Sequence, residues 1–107
     1  MSAVVDVRRT EEFDKWLHEL SDRQARARIL TRIDRLKLGN FGDVKAARDG
    51  LSELRINYGP GYRVYFVQYD AIILLYGGTK RGQNQDIATA LKLAKGDRYD
   101  RSRCLPH

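Results

Sequence analysis

The sequence predicts an α+β fold: an N-terminal strand and a helical hairpin packed on a mainly antiparallel twisted sheet, with a C-terminal helix. Three observations carry this expectation. Apolar residues recur at helical spacing between Thr10 and Gly39, the period drops to two from Asp43 onward, and a helical stripe returns after residue 83. At 107 residues the chain has the length of a single domain, 1–107, with room for one core.

Residues 3–8 (Ala-Val-Val-Asp-Val-Arg) read as the first strand. Thr10 is a suitable helix N-cap, with Glu11 and Glu12 favourably placed in the first turn, and Phe13, Trp16, Leu17 and Leu20 form one apolar stripe. Ser21 with Gln24 three residues later has capping-box form and opens a second helix, whose stripe of Ile29, Ile33 and Leu36 stops at Gly39-Asn40. A short edge strand is expected near 43–47, strands at 51–56 and 62–68, and a strand at 71–76 that is apolar on both faces and therefore central. Gly77 to Gly82 reads as a flexible basic loop with a Gly-Gly hinge. A helix follows over about 83–94, carrying Ile87, Leu91 and Ala94 on one face, and the polar tail 96–107 is expected to be partly disordered.

The hairpin is the most informative segment. Gly-Pro-Gly joins two strands whose side chains alternate, so Leu54 facing Val64 and Ile56 facing Tyr62 on the core side sets Arg55 opposite Arg63 and Glu53 opposite Tyr65 on the other. One face is then core, and the other is a cationic site with a carboxylate and a phenol. Guanidinium forks hold phosphate oxygens and stabilise the charge that grows on them during transfer.

Composition points the same way. The chain has 20 basic and 14 acidic side chains, a formal charge of +6, and the excess rises from +2 over residues 1–50 to +4 over 51–107. An anionic partner is favoured. One cysteine, Cys104, cannot form a disulfide within one chain or a cysteine-based metal site, and the scattered His18 and His107 make none either. The expectation is a soluble cytoplasmic protein with no membrane segment, metal or cofactor. Arg23, Arg26, Arg28, Arg32 and Arg35 line polar parts of the second helix and read as a solvated face.

Gly-Leu-Ser-Glu-Leu-Arg at 50–55, Gly-Pro-Gly-Tyr-Arg-Val-Tyr-Phe at 59–66 and the run from Ile72 through Gly77-Gly78-Thr79-Lys80, in this order and spacing, resemble the RelE/ParE superfamily of bacterial toxins. The similarity is greatest to its HigB-like addiction module killer branch and covers about residues 3–95. It implies a RelE-like fold and a type II toxin that cuts messenger RNA in the ribosomal A site. It also implies a cognate antitoxin, typically a helix-turn-helix protein from the adjacent gene, through which alone the complex would reach operator DNA. Arg63 matches the central arginine of RelE-type toxins, Arg55 a basic position on the preceding strand, and Lys80 with Arg81 the basic loop. Two departures stand out: Glu53 lies where RelE has a lysine, and Ile87 where RelE has a tyrosine.

Metal-free cleavage through the 2′-hydroxyl needs a base, an acid and cations for the phosphorane. Arginine supplies only the cations, because it does not release its proton. The expected catalytic set is therefore Arg63, Arg55, Glu53 as base and Lys80, with Lys45, Tyr65, Arg81 and Tyr99 as RNA-binding or proton-carrying neighbours. Glu53 could equally pair with an arginine across the sheet. The same fold also serves ParE-like inhibitors of DNA gyrase, which perform no chemistry, and the missing tyrosine leaves room for an inactive binding homologue.

Overall fold

The computed structural model describes residues 5–96 and 105–107. A six-stranded sheet of order β2-β3-β4-β5-β1-β6 lies between two helical layers. The elements are β1 (Val7–Arg9), α1 (Glu11–Glu19), α2 (Arg23–Lys37), β2 (Val44–Ala46), β3 (Ser52–Ile56), β4 (Tyr62–Gln68), β5 (Ile72–Thr79), a 3-10 turn (Lys80–Gly82), α3 (Gln83–Gly96) and β6 (Leu105–Pro106). Strands β2 to β5 form an antiparallel meander, and β1 pairs parallel with β5. An α+β architecture with a mostly antiparallel sheet is thus established.

Thr10 caps α1 as its sequence position implies. Its hydroxyl accepts from the Phe13 amide at 3.0 Å and donates to the Leu75 carbonyl at 2.7 Å, which ties the start of α1 to the central strand. The second cap falls one residue later than expected. Asp22, not Ser21, accepts from the Gln24 and Ala25 amides at 3.0 and 3.1 Å. A carboxylate is the stronger partner for the positive end of a helix, and this phase turns Ala25, Ile29, Ile33 and Leu36 into the core. α2 ends in a Schellman arrangement, with Gly39 at φ +81° and bonds from Gly39 to Leu36 and from Asn40 to Arg35.

The main core lies between α1, α2 and one sheet face, where Phe13, Leu17, Ile29 and Ile33 meet Leu54, Val64, Phe66 and Leu74. A second core lies on the opposite face beneath α3, with Leu51, Tyr65, Val67, Ile73, Leu75 and Ala90. β5 is therefore covered on both sides. Tyr65 pairs with Tyr76 but Phe66 pairs with Leu74, so a bulge sets Leu75 and Tyr76 both toward α3.

The Gly-Gly hinge is corrected. Gly77 and Gly78 are not a hinge in a loop but residues of β5, paired with Val64 and Arg63. They are needed for close approach: a Cβ on Gly77 would stand 2.3 Å from ring carbons of Trp16, and one on Gly78 1.9 Å from an Asp86 carboxylate oxygen. Of the tail expected to be partly disordered, residues 97–104 lie outside the described residues, and Leu105–Pro106 pairs antiparallel with β1 as an edge strand. The His107 amide donates to Val7, and its ring lies 3.3 Å from Asp34.

Gly77→Ala is expected to lower stability by about 1–3 kcal/mol in urea unfolding, because the indole has ring neighbours in Phe13 and Tyr62 and little room to shift. A second expectation concerns acid. Burial, opposed by Asp34, holds the His107 imidazole below its ordinary 6.5, so the fold favours the neutral ring. Its contribution is complete above 6.5 and lost as pH falls through the folded-state value. The exchange protection of the His107 amide should then fall on acidification while that of β4 and β5 amides persists.

Candidate functional site

The β3–β4 register is the one the sequence predicts. Arg55 lies opposite Arg63, Glu53 opposite Tyr65, Leu54 opposite Val64 and Ile56 opposite Tyr62. The neighbouring strands extend these pairs into two rows across the sheet. Lys45, Glu53, Tyr65 and Tyr76 form one, and Arg55, Arg63 and Gly78 the other. α3 begins above the second row, where Gly78 offers no side chain.

Glu53 organises this face. Only 2% exposed, its carboxylate accepts two hydrogen bonds from the Gln83 side-chain amide, at 2.9 and 3.3 Å. Arg63 Nε lies 2.9 Å from Glu53 Oε1, and the Arg63 side chain is 12% exposed. That N–H is not aimed along the line to the oxygen, so the contact is an ion pair rather than a directed hydrogen bond. A buried carboxylate requires such partners, because desolvation of an uncompensated charge costs several kcal/mol. β3, β4 and the first residue of α3 are clasped together at this point.

Arg55 is more accessible, with its side chain 36% exposed. Its Nε and Nη2 donate to one oxygen of Asp43 at 3.1 and 2.8 Å. That hydrogen bond holds the Asp43 carboxyl below the usual aspartate range and raises the guanidinium of Arg55. Exposed pairs of this kind are weak and readily exchanged for a better anion. Beneath it, Arg32 donates to the Arg55 carbonyl at 2.6 Å and reaches the carbonyls of Phe41 and Asp43. Arg26 likewise bonds the Leu20 carbonyl at 2.8 Å. These two arginines brace loops, so the α2 series is not uniformly a solvated face. Arg28 stacks on Tyr58 at 4.6 Å and, with Arg35, lines a groove of about 480 Å³ on the other side of the sheet edge.

The remaining candidates separate. Lys80 and Arg81 are exposed in the 3-10 turn, which lines a shallow recess of about 340 Å³ with Gly82 to Gln85. The Lys80 amide is anchored to the Gly61 carbonyl at 2.7 Å, which fixes the turn beside the hairpin. Lys45 is exposed on the edge strand. Tyr65 is fully buried under α3, so its ring offers no stacking surface for a base. Its hydroxyl has no hydrogen-bond partner among the described residues, and burial, with the charges of Glu53 and Asp86 added, pushes the phenol well above its ordinary range. Tyr99 lies outside the described residues.

Sequence reading missed Gln83 and Asp86. Asp86 stands in the first turn of α3 with its carboxylate over Gly78, and desolvation raises it above the ordinary aspartate range. The glycine pair beside a polar helix start was the available signal. Among the described residues, no group of three or more His, Cys, Asp or Glu side chains could hold a metal, and no helix is long and apolar enough to cross a membrane.

Over 93 residues the chain is 46% identical to an uncharacterized protein of Haemophilus influenzae, spanning 85% of this chain and 94% of that one. The chain belongs to that protein's family. No protein-family model matches it.

Removing either partner of the Glu53–Arg63 pair should be costly. Arg63→Ala and Glu53→Ala are each expected to lose about 3 kcal/mol in urea unfolding, whereas the double variant Glu53→Gln, Arg63→Met should recover most of the loss. A double-variant loss equal to the sum of the two single losses would show that the pair is not coupled.

Proposed function

We propose that this protein is a type II toxin of the RelE/ParE superfamily, HigB-like branch, that cleaves messenger RNA on the ribosome. The supporting observation is the Arg55–Arg63 pair on one sheet face, with Lys80 and Arg81 beside it and a +6 chain around it. Two guanidiniums from neighbouring strands suit a single phosphodiester. Their forks can hold its non-bridging oxygens and stabilise the dianionic phosphorane formed when a 2′-hydroxyl attacks. The sheet sets both arginines on one face before substrate arrives; Arg63 is held there by Glu53, and Arg55 keeps only an exposed partner. Lys45 and Arg81 would hold neighbouring phosphates.

This reading places the protein in the cytoplasm, with the ribosome and mRNA as targets and a small helix-turn-helix antitoxin as its partner. That antitoxin would cover the basic face and carry the complex to operator DNA. A second reading, a ParE-like gyrase inhibitor without catalysis, draws on the closure of Glu53 and Tyr65, two candidate proton carriers that the fold buries.

Induction in a bacterial host, with primer extension on an abundant translated mRNA, separates the two. The proposal expects growth arrest with new 5′ ends inside codons, dependent on translation. Arg55→Ala and Lys80→Ala should each lower cleavage by about 10²–10³ without loss of fold. Arg63→Lys is the better probe at that position, since Arg63→Ala also strands the Glu53 carboxylate. Arrest with intact mRNA and a DNA-damage response would assign the gyrase reading, and no arrest would leave a binding homologue.

A further inference from the structure

A cyclising RNA cleavage on this face requires a group that can take up a proton, and the carboxylate expected to do so is closed off. Glu53 is buried and engaged by Gln83 and Arg63. The structure supplies another carboxylate beside it. We propose that Asp86 is the general base of the reaction, a catalytic residue placed by the Gly78 gap; this rests on the reading of the protein as a ribonuclease.

The geometry is specific. Gly78 lies directly opposite Arg63 in the β4–β5 register, and a Cβ there would come within 1.9 Å of Asp86 Oδ2. Any other residue at 78 would displace this carboxylate, so the strand has been cleared at the one position that admits it to the arginine row. Asp86 is only partly buried and has no ion pair or hydrogen bond among the described residues, unlike Glu53 and Asp43. The Tyr65 hydroxyl is fully buried without a hydrogen-bond partner among the described residues, and the Asp86 charge acts on it. An unpaired carboxylate in a partly desolvated site has the character of a base rather than of a structural anchor. Desolvation also raises it above the ordinary aspartate range. The Tyr65 phenol that the Asp86 charge acts on also feels Glu53 and Arg63, Arg63 lies opposite Gly78, and Lys80 and Arg81 stand in the turn that precedes α3.

In the step itself, the Asp86 carboxylate takes the 2′-hydroxyl proton as the O2′–P bond forms. Arg55 and Arg63 stabilise the phosphorane, and the P–O5′ bond breaks as the Lys80 ammonium gives a proton to the departing O5′. A 2′,3′-cyclic phosphate and a 5′-hydroxyl result. The proton on Asp86 and the one missing from Lys80 are then exchanged with water.

The test is single-turnover cleavage of mRNA on purified ribosomes across pH, with melting temperature measured on each variant. Asp86→Asn is expected to lower the rate at least ~100-fold and to abolish the limb of the wild-type profile that rises with pH. Its melting temperature at neutral pH should be equal or higher, because a desolvated charge has been removed, and Asp86→Glu should restore part of the rate. Wild-type-like cleavage by Asp86→Asn with an unchanged pH profile would overturn the inference and leave the ribonuclease reading intact. Lost cleavage with a fallen melting temperature in both Asp86→Asn and Asp86→Ser would make Asp86 a packing residue and also overturn it. A wild-type protein that does not cut would sink the ribonuclease reading and this inference together.

Discussion

The buried carboxylate of Glu53 governs how the charged face of this protein is built. A carboxylate that is 2% exposed must be matched by a cation and by hydrogen-bond donors, and the fold draws these from two elements, Arg63 on β4 and Gln83 at the start of α3. The first turn of α3 is thereby brought down onto the sheet. With α3 in this place, Tyr65 is sealed beneath it and Asp86 stands in the space above Gly78. A separate bond, from the Lys80 amide to the Gly61 carbonyl, holds the Lys80–Gly82 turn beside the hairpin.

Charge on this face is therefore of two kinds. Arg63 and Glu53 are structural partners as well as site residues, and their mutual neutralisation leaves little net charge between them. Arg55, Lys80, Arg81 and Lys45 keep their charge near solvent, and Arg55 gives up only an exposed partner when it meets another anion. A phosphodiester arriving here would find one arginine held rigidly from behind and another that can turn toward it. Such a division suits the proposed role, in which this face binds a polyanion.

The glycines of β5 show how packing and function share one constraint. Gly77 faces the main core and makes room for Trp16, while Gly78 faces the other layer and makes room for Asp86. Two adjacent residues of a strand point to opposite sides, so a single Gly-Gly step serves both. Between the Phe66–Leu74 and Tyr65–Tyr76 pairs the bulge at Leu75 shifts the register by one residue, which is what sets Gly78 opposite Arg63.

Much was legible in the sequence wherever a short-range rule applies. Period-two alternation and the Gly-Pro-Gly connection determined the β3–β4 register and hence the Arg55–Arg63 pair; apolar spacing determined α1, α2 and α3, and Thr10 its cap. At the start of α2 the capping-box reading chose Ser21, whereas the cap is the adjacent Asp22, whose carboxylate accepts from the Gln24 and Ala25 amides. The tertiary structure alone decided the rest. Which residues lie under α3, that Glu53 and Tyr65 are closed while Arg55 is open, that Gly77 and Gly78 are strand, that residues 105–106 form an edge, and that Asp86 reaches the arginine row all depend on how a distant helix or strand docks. The physical reason is that alternation and helical period are properties of neighbouring residues, whereas burial and electrostatic pairing belong to surfaces that meet only after the chain has closed on itself.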